Sequence, residues 1–397
     1  MLNQNILALG KKRSTIREIF EFGNQRAKLV GRENIFDFSL GNPNVPAPDS
    51  VQHAIRDIIN TQHPSAIHGY TSAQGNEDSR TAIAKSLNTR FGTDYLAKNL
   101  YLTLGAAASI LLCFKALTAS PEDEFIVFAP FFPEYQVFIE HGAGAKCVVI
   151  SAQVQDFQIN FEEFEKNLNP HTKGVVINSP NNPSGVVYSD ETISRLSALL
   201  NAKSEEYGHP IFLISDEPYR EIIFDGVEVP FIAPKYKNTL VCYSYSKSLS
   251  LPGERIGYVL VPNTVDKFED LYAAICGAGR VLGYVCAPAL FQQVITRCAA
   301  DIADISIYEK NRNILLEALT SMGYNCVKPE GAFYLFPQTL EENDYAFCER
   351  AKKYDLLLVP GTDFGAPGHM RIAYCVQTET VQRALPLFEK LAKEYGL

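Results

Sequence analysis

The chain has 397 residues, and 36 basic against 45 acidic side chains leave a formal charge of −9. With 46% hydrophobic and 20% charged residues it is a globular chain rather than a disordered one, and its length exceeds what one core supports, so two domains are expected. The acidic balance, with no basic tract longer than Lys11-Lys12-Arg13, argues against a nucleic-acid or anionic-membrane partner.

In chain order, residues 13–30 predict an amphipathic helix, and a helical pattern over 106–118 follows. The middle of the chain then alternates short apolar runs with helical patterns. Strands are expected at 125–129, 146–151, 174–179, 211–217, 240–246 and 255–261, with helices at 133–141, 161–168 and 190–206. The last of these helices has a capped start at Ser189-Asp190-Glu191. Short buried-type strands separated by helices imply an α/β domain with a mainly parallel sheet covered on both faces. The C-terminal third differs. Long helices are expected at about 264–280 and 288–322, strands at 334–337, 356–360 and 370–376, and a final helix at 379–395. These suggest a smaller α+β domain, which helix 13–30 joins. The expected division is 45–290 for the large domain, and 1–44 with 291–397 for the small one.

Several chemistries lose their motifs. There is no G-x-G-x-x-G, no G-x-x-x-x-G-K-[ST] and no H-E-x-x-H, and the seven histidines show no metal-ligand spacing. The nine cysteines are scattered and form no C-x-x-C pair, as expected of free thiols in a reducing cytoplasm. The start, Met-Leu-Asn-Gln, lacks the basic and apolar regions of a signal peptide, and no apolar stretch nears the ~20 residues of a membrane span. A cytoplasmic location is expected. Tryptophan is absent, so ring stacking falls to Phe, Tyr or His.

Three clusters carry chemistry at expected strand ends, where open α/β sheets place ligands. One is Ser244-Tyr245-Ser246-Lys247, followed by Arg255-Ile256-Gly257. A lysine there, partly desolvated and near positive charge, has a lowered pKa and can act as an amine nucleophile. Taken alone it reads more readily as a surface lysine after a strand. The second is Asp216-Glu217-Pro218-Tyr219, and the third runs from Asn178 to Gly185; each alone could be a turn.

Together, their order and spacing resemble the class I/II, fold type I pyridoxal-phosphate aminotransferases, the aspartate aminotransferase-like enzymes. The tract from Ser244 through Lys247 and Arg255 to Gly257 is similar to the family's lysine-attachment segment, and the likeness extends from Gly41 to Arg371. The resemblance implies a seven-stranded-type sheet in the large domain. It makes Lys247 the lysine that forms a Schiff base with pyridoxal 5'-phosphate and then acts as general base. It sets Asp216 against the pyridine nitrogen, Asn182 and Tyr219 at the phenolic oxygen, and Phe132 over the ring. Gly105-Ala106-Ala107, opening a helix, would receive the phosphate. Relatives often carry Ser, Thr or Lys in that tripeptide. With only Ala here, phosphate binding should lean on Ser244, Ser246 and Arg255.

The same resemblance makes Arg371 the grip on the substrate α-carboxylate, helped by Asn182, with Gly41 in the segment that closes over it. Tyr70 would reach the phosphate of a partner subunit, which requires a homodimer. Arg280 either reaches the partner's site to bind a distal carboxylate or merely sits at a helix end marked by Gly277 and Gly279. The implied reaction is ping-pong transfer from an aspartate, aromatic or alanine donor to a 2-oxo acid such as 2-oxoglutarate. A carbon–sulfur β-lyase on this fold would share the cofactor motifs. A ligand-sensing domain would need a preceding DNA-binding region, and the motifs begin too early, near Gly41, to leave room for one.

Overall fold

The β-branched and aromatic runs of the sequence become strands. A computed structural model describes residues 2–11 and 14–397, so Lys12 and Arg13 of the basic tract, the latter also the first residue of the expected helix 13–30, lie outside the described residues. In chain order the strands are β1 (Phe36–Asp37), β2 (Leu100–Thr103), β3 (Glu124–Phe128), β4 (Lys146–Ile150), β5 (Thr172–Asn178) and β6 (Phe212–Asp216). They continue as β7 (Thr239–Ser244), β8 (Gly257–Leu260), β9 (Tyr334–Leu335), β10 (Leu356–Leu357), β11 (Val359–Pro360) and β12 (Met370–Ala373).

Among the described residues one seven-stranded sheet forms, in the order β2-β8-β7-β6-β5-β3-β4. The pairings from β4 through β7 are parallel, while β8 runs against both β7 and β2. Both faces are covered, as the near-continuous apolar strands required. Alternate residues feed two different cores. Val127, Val176 and Ile214 pack under the helices Ala106–Leu117 and Phe268–Leu282. Ile126, Val175, Ile177 and Leu213 pack under Phe161–Asn167 and Asp190–Tyr207. Truncating one of the buried Ile or Leu side chains among these to Ala costs about 2–5 kcal/mol.

The edge strand β2 was not expected. Its four residues are too few to show alternation, and they pair because β8 offers them a free edge. Its register sets Thr103 opposite Gly257, and Gly257 in turn lies opposite Ser244. A Cβ on Gly257 would collide with the Tyr243 carbonyl and come within 2.8 Å of the Gly105 Cα. Glycine is therefore what lets three chain segments meet at one sheet edge.

The helix Asp190–Tyr207 starts as expected, with Ser189 Oγ accepting from the Thr192 amide at 3.0 Å. The long helix expected over 288–322 is two helices, Ala289–Cys298 and Ser306–Ser321. Between them, Asp304 accepts the Ser306 amide at 3.0 Å, and the Ala303 amide donates to the Ser248 carbonyl at 2.7 Å. Tertiary bonds thus take donors that a continuous helix would have used. The expected helix over 133–141 is a short α-turn, Glu134–Val137, that widens into a π-helical segment over Phe138–Ala143.

The C-terminal strands are shorter than expected. They form a separate sheet, β11-β12-β9, and β10 pairs in parallel with β1. Helix Thr15–Val30 joins this part, with Gly23 against Leu357 and Arg26 paired to Asp355 at 2.7 Å. The helix Ala289–Cys298 packs through Val294, Ile295 and Cys298 onto the helices Asp49–Thr61 and Glu77–Phe91. The division expected at residue 290 falls inside it. Among the described residues, no helix is long and apolar enough to cross a membrane, and no His/Cys/Asp/Glu cluster could hold a metal ion.

Candidate active site

Parallel pairing aligns the ends of β5, β6 and β7. Asn178 faces Asp216 in register, and Asp216 faces Cys242. Asn178 then works in two directions, its Nδ2 donating to the Asp216 carbonyl at 2.9 Å and its Oδ1 accepting from the Asn182 amide at 2.7 Å. The polar turn after β5 is thereby fixed to the end of β6.

Asp216 is buried at the end of β6. Its Oδ2 accepts from the Tyr135 hydroxyl at 2.5 Å, while its Oδ1 has no partner. Burial pushes its pKa up to about 7, against the opposing pull of the Tyr135 hydrogen bond. A carboxylate oxygen left so is suited to a buried cationic N–H. Phe132 stands edge-on to Tyr135 at 5.6 Å, one ring away from that carboxylate.

Lys247 sits on the four-residue helix Tyr245–Ser248 that directly follows β7. Burial pushes its amine down to about 8, and the Arg371 and Arg255 guanidiniums push the same way. Its Nζ donates to the Gly41 carbonyl at 2.6 Å and lies 5.3 Å from the Phe333 ring centroid and 6.0 Å from that of Tyr219. Near neutral pH this is a lysine with an accessible free-amine form. The surface-lysine alternative is removed.

Arg371, on β12, is 2% exposed. It donates to Asn182 Oδ1 at 3.0 Å and to the Ser39 carbonyl at 2.5 Å, and its Nε has no partner. Its guanidinium lies 4.8 Å from the ring centroids of both Tyr334 and Phe364. No ion pair neutralises it among the described residues, and burial lowers its pKa. A buried cation without an anion is a costly arrangement that a carboxylate ligand would complete.

A second anion site lies alongside. Gly105, at φ 96°, precedes the helix Ala106–Leu117, which no side chain caps. A Cβ on Gly105 would come within 3.1 Å of Arg255 Nη2 and 3.2 Å of Ser244 Oγ. Ser244 Oγ is itself 2.7 Å from Ser246 Oγ. Uncapped amides of Ala106 and Ala107, two hydroxyls and a guanidinium thus converge, as a phosphate requires. Ser109 is turned away, bonding Thr103, Gly105 and Tyr258. The cradle a side chain would fill at Gly105 and the orphaned oxygen of Asp216 both fit pyridoxal phosphate.

The profile of the aminotransferase class I and II family matches residues 33–387. The chain belongs to the class I and II aminotransferase family. An aspartate/prephenate aminotransferase of Thermus thermophilus is 28% identical over 93% of this chain and 94% of its own length. An aspartate aminotransferase of Thermotoga maritima is 31% identical over 92% of this chain and 93% of its own. A crystal structure of an aminotransferase from Eubacterium rectale superposes with a TM-score of 0.98, at 55% identity and with all of both chains covered. Aminotransferases of this family depend on pyridoxal phosphate and exchange amino groups between amino acids and 2-oxo acids. This chain is such an aminotransferase, with the aspartate aminotransferase-like fold.

The structure brings Gly41, Gly105, Asn182, Asp216, Tyr219, Ser244, Ser246, Lys247, Arg255 and Arg371 together around the C-terminal ends of β5, β6 and β7, with Arg371 supplied from β12. Tyr70 and Arg280 are not gathered with them. Tyr70 is 88% exposed, and Arg280 is exposed on the helix Phe268–Leu282. Arg280 does stand in the last turn of that helix, as the helix-end alternative expected, although the cap is Gly283, at φ 77°, rather than Gly277 or Gly279. Gly279 instead lies against the Tyr101 hydroxyl. Sequence reading gave Tyr135 and Tyr334 no role at the cofactor. Tyr135 follows Phe132 by three residues, but only the fold shows that its hydroxyl, on the helix Glu134–Val137, meets Asp216.

Proposed function

We propose that the aminotransferase reaction is carried by the residues gathered at these strand ends, in the following roles. When bound, pyridoxal phosphate supplies an electron sink for the substrate carbon that loses a proton. Lys247 holds and moves that proton, at an amine whose pKa of about 8 suits a general base near neutral pH. Asp216 holds a proton at the ring nitrogen through its free Oδ1. Tyr219 and Asn182 hold the phenolic oxygen. Phe132 covers the ring face in place of a tryptophan. Gly105, Ala106, Ala107, Ser244, Ser246 and Arg255 hold the phosphate. Arg371, with Asn182, fixes the α-carboxylate and so aims the α C–H at the Lys247 amine, while the segment around Gly41 excludes water. The single observation that carries this reading is the pairing of a buried guanidinium without an anion and a buried carboxylate oxygen without a donor, both near enough to Tyr219 to act on its hydroxyl.

The small domain carrying Arg371 is proposed to close on the large one, with the boundary in residues 299–305 rather than inside the helix Ala289–Cys298. The chain is proposed to act in the cytoplasm as a homodimer in which Tyr70 reaches the partner's phosphate site. The side chain of Tyr70, 88% exposed, is free to reach a partner. Mixing Lys247→Ala chains with Tyr70→Ala chains tests this. Random mixed dimers keep one complete site each, so about a quarter of wild-type activity should return from two inactive variants. No recovery would show that each chain completes its own site.

The proposed donor is aspartate, as for the relatives named for it, with 2-oxoglutarate as acceptor. Arg280 of one protomer would then hold the distal carboxylate in its partner's site. A screen of twenty amino acids with 2-oxoglutarate should give aspartate the highest rate. Arg280→Ala should raise its KM at least about tenfold, the worth of a charge-assisted hydrogen bond, and leave alanine unaffected. An unchanged aspartate KM removes Arg280 from the site. Ammonia and pyruvate from cysteine-type substrates, without oxo-acid exchange, would make the enzyme a β-lyase.

A further inference from the structure

We propose that Tyr334 is a positioning residue that joins the grip on the substrate carboxylate to the hydrogen bond at the cofactor's phenolic oxygen. The inference rests on the roles given above to Arg371 and Tyr219.

Tyr334 is 2% exposed and lies on β9, opposite Ala373 of β12, two residues beyond Arg371. Its side chain touches three parts of the site. Its hydroxyl is 2.8 Å from the Tyr219 hydroxyl. Its ring carries the Arg371 guanidinium at 4.8 Å from the centroid. The same hydroxyl packs so closely on Gly41 that a Cβ there would collide with it, and Gly41 offers the carbonyl that accepts the Lys247 amine. The ring itself is held edge-on to Tyr219 at 5.7 Å and against Phe333 at 5.0 Å.

Either hydroxyl of this pair can donate. A Tyr219 hydroxyl that gives its one proton to the cofactor can only accept from Tyr334, which is then the donor. A hydroxyl that accepts one hydrogen bond donates the next more strongly. Tyr334 therefore strengthens the Tyr219 donation and favours the deprotonated phenolic oxygen. Through its ring it also sets the plane in which Arg371 meets a carboxylate. A shift of either partner is felt by the other through one rigid ring.

The test uses purified holoenzyme and two readouts: the pH titration of the bound cofactor's visible absorbance, and steady-state kinetics. Tyr334→Phe keeps the ring and removes the hydroxyl. It should move the absorbance transition up by about 0.5 pH unit, lower kcat about fivefold and leave the amino-acid KM within about twofold. Tyr334→Leu also removes the ring beneath Arg371 and should raise KM about tenfold. In a Tyr219→Phe background, Tyr334→Phe should leave the absorbance transition where Tyr219→Phe has placed it, because the link is already cut. A transition in Tyr334→Phe that coincides with wild type overturns the proposal, and so does the same shift in both backgrounds. Arg371→Leu serves as the control. If that variant keeps a wild-type KM, the reading of the carboxylate grip fails, whatever Tyr334 does.

Discussion

Lys247→Ala is expected to abolish turnover. The variant loses the amine that binds the cofactor covalently and the base that moves the α-proton. The second loss alone costs about a hundred- to ten-thousandfold. The visible absorbance that depends on the covalent link should vanish too, and a small added amine should restore part of the rate. Normal turnover without added amine would sink the mechanism. A stability readout separates this from misfolding. In the cofactor-free chain the folded amine titrates at about 8, below its ordinary 10.5. The unfolded chain then binds more protons between those values, so folded stability falls as pH drops from about 10.5 to 8 and stays reduced below that. Removing the lysine removes this penalty. Cofactor-free Lys247→Ala should therefore melt at or above wild type at pH 7. A markedly lower melting temperature would assign the lysine a structural part.

The second large effect is at Asp216, where activity and stability should move in opposite directions. Asp216→Asn cannot hold a proton at the ring nitrogen, and kcat should fall at least about a hundredfold. In the cofactor-free chain the folded carboxyl titrates at about 7 against an ordinary 3.8. The native chain then binds the extra proton between those values, so its stability is lost as pH rises through the window. Asparagine does not ionise. At pH 8 the cofactor-free variant should be more stable than wild type by up to about 4 kcal/mol, and the difference should shrink toward pH 4. Urea denaturation at the two pH values measures it. A variant less stable at pH 8 would mean that the Tyr135 bond outweighs the burial of the charge.

The lysine segment, the Asp-Glu-Pro-Tyr turn and the Asn-rich turn were legible because each is a run of residues contiguous in the chain. The central strands were legible for a similar reason: apolar runs such as those of β5 and β6 carry their signal in every residue. What escaped was set by contacts across the chain. Strand β2 exists because β8 presents an edge to Leu100–Thr103. The break between Cys298 and Ser306 exists because the Ala303 amide is taken by Ser248. Tyr334 and Tyr135 enter the site through partners 115 and 81 residues away in the chain. No local pattern announces such meetings.

The Ala303–Ser248 bond has a further consequence. A four-residue helix is too short to sustain itself, since forming its first turn costs more than it returns. The turn bearing Lys247 is borrowed structure, held by Ser244 Oγ at its start, by the Tyr243 hydroxyl on Ser248 Oγ, and by the amide of Ala303 at its end. The aim of the reactive amine is thus inherited in part from a loop that supplies none of the site residues. That loop also links the helices Ala289–Cys298 and Ser306–Ser321, the stretch in which the two domains are proposed to part. A hinge there would turn about a point fastened to the lysine, so the small domain could swing shut without dragging the amine off target.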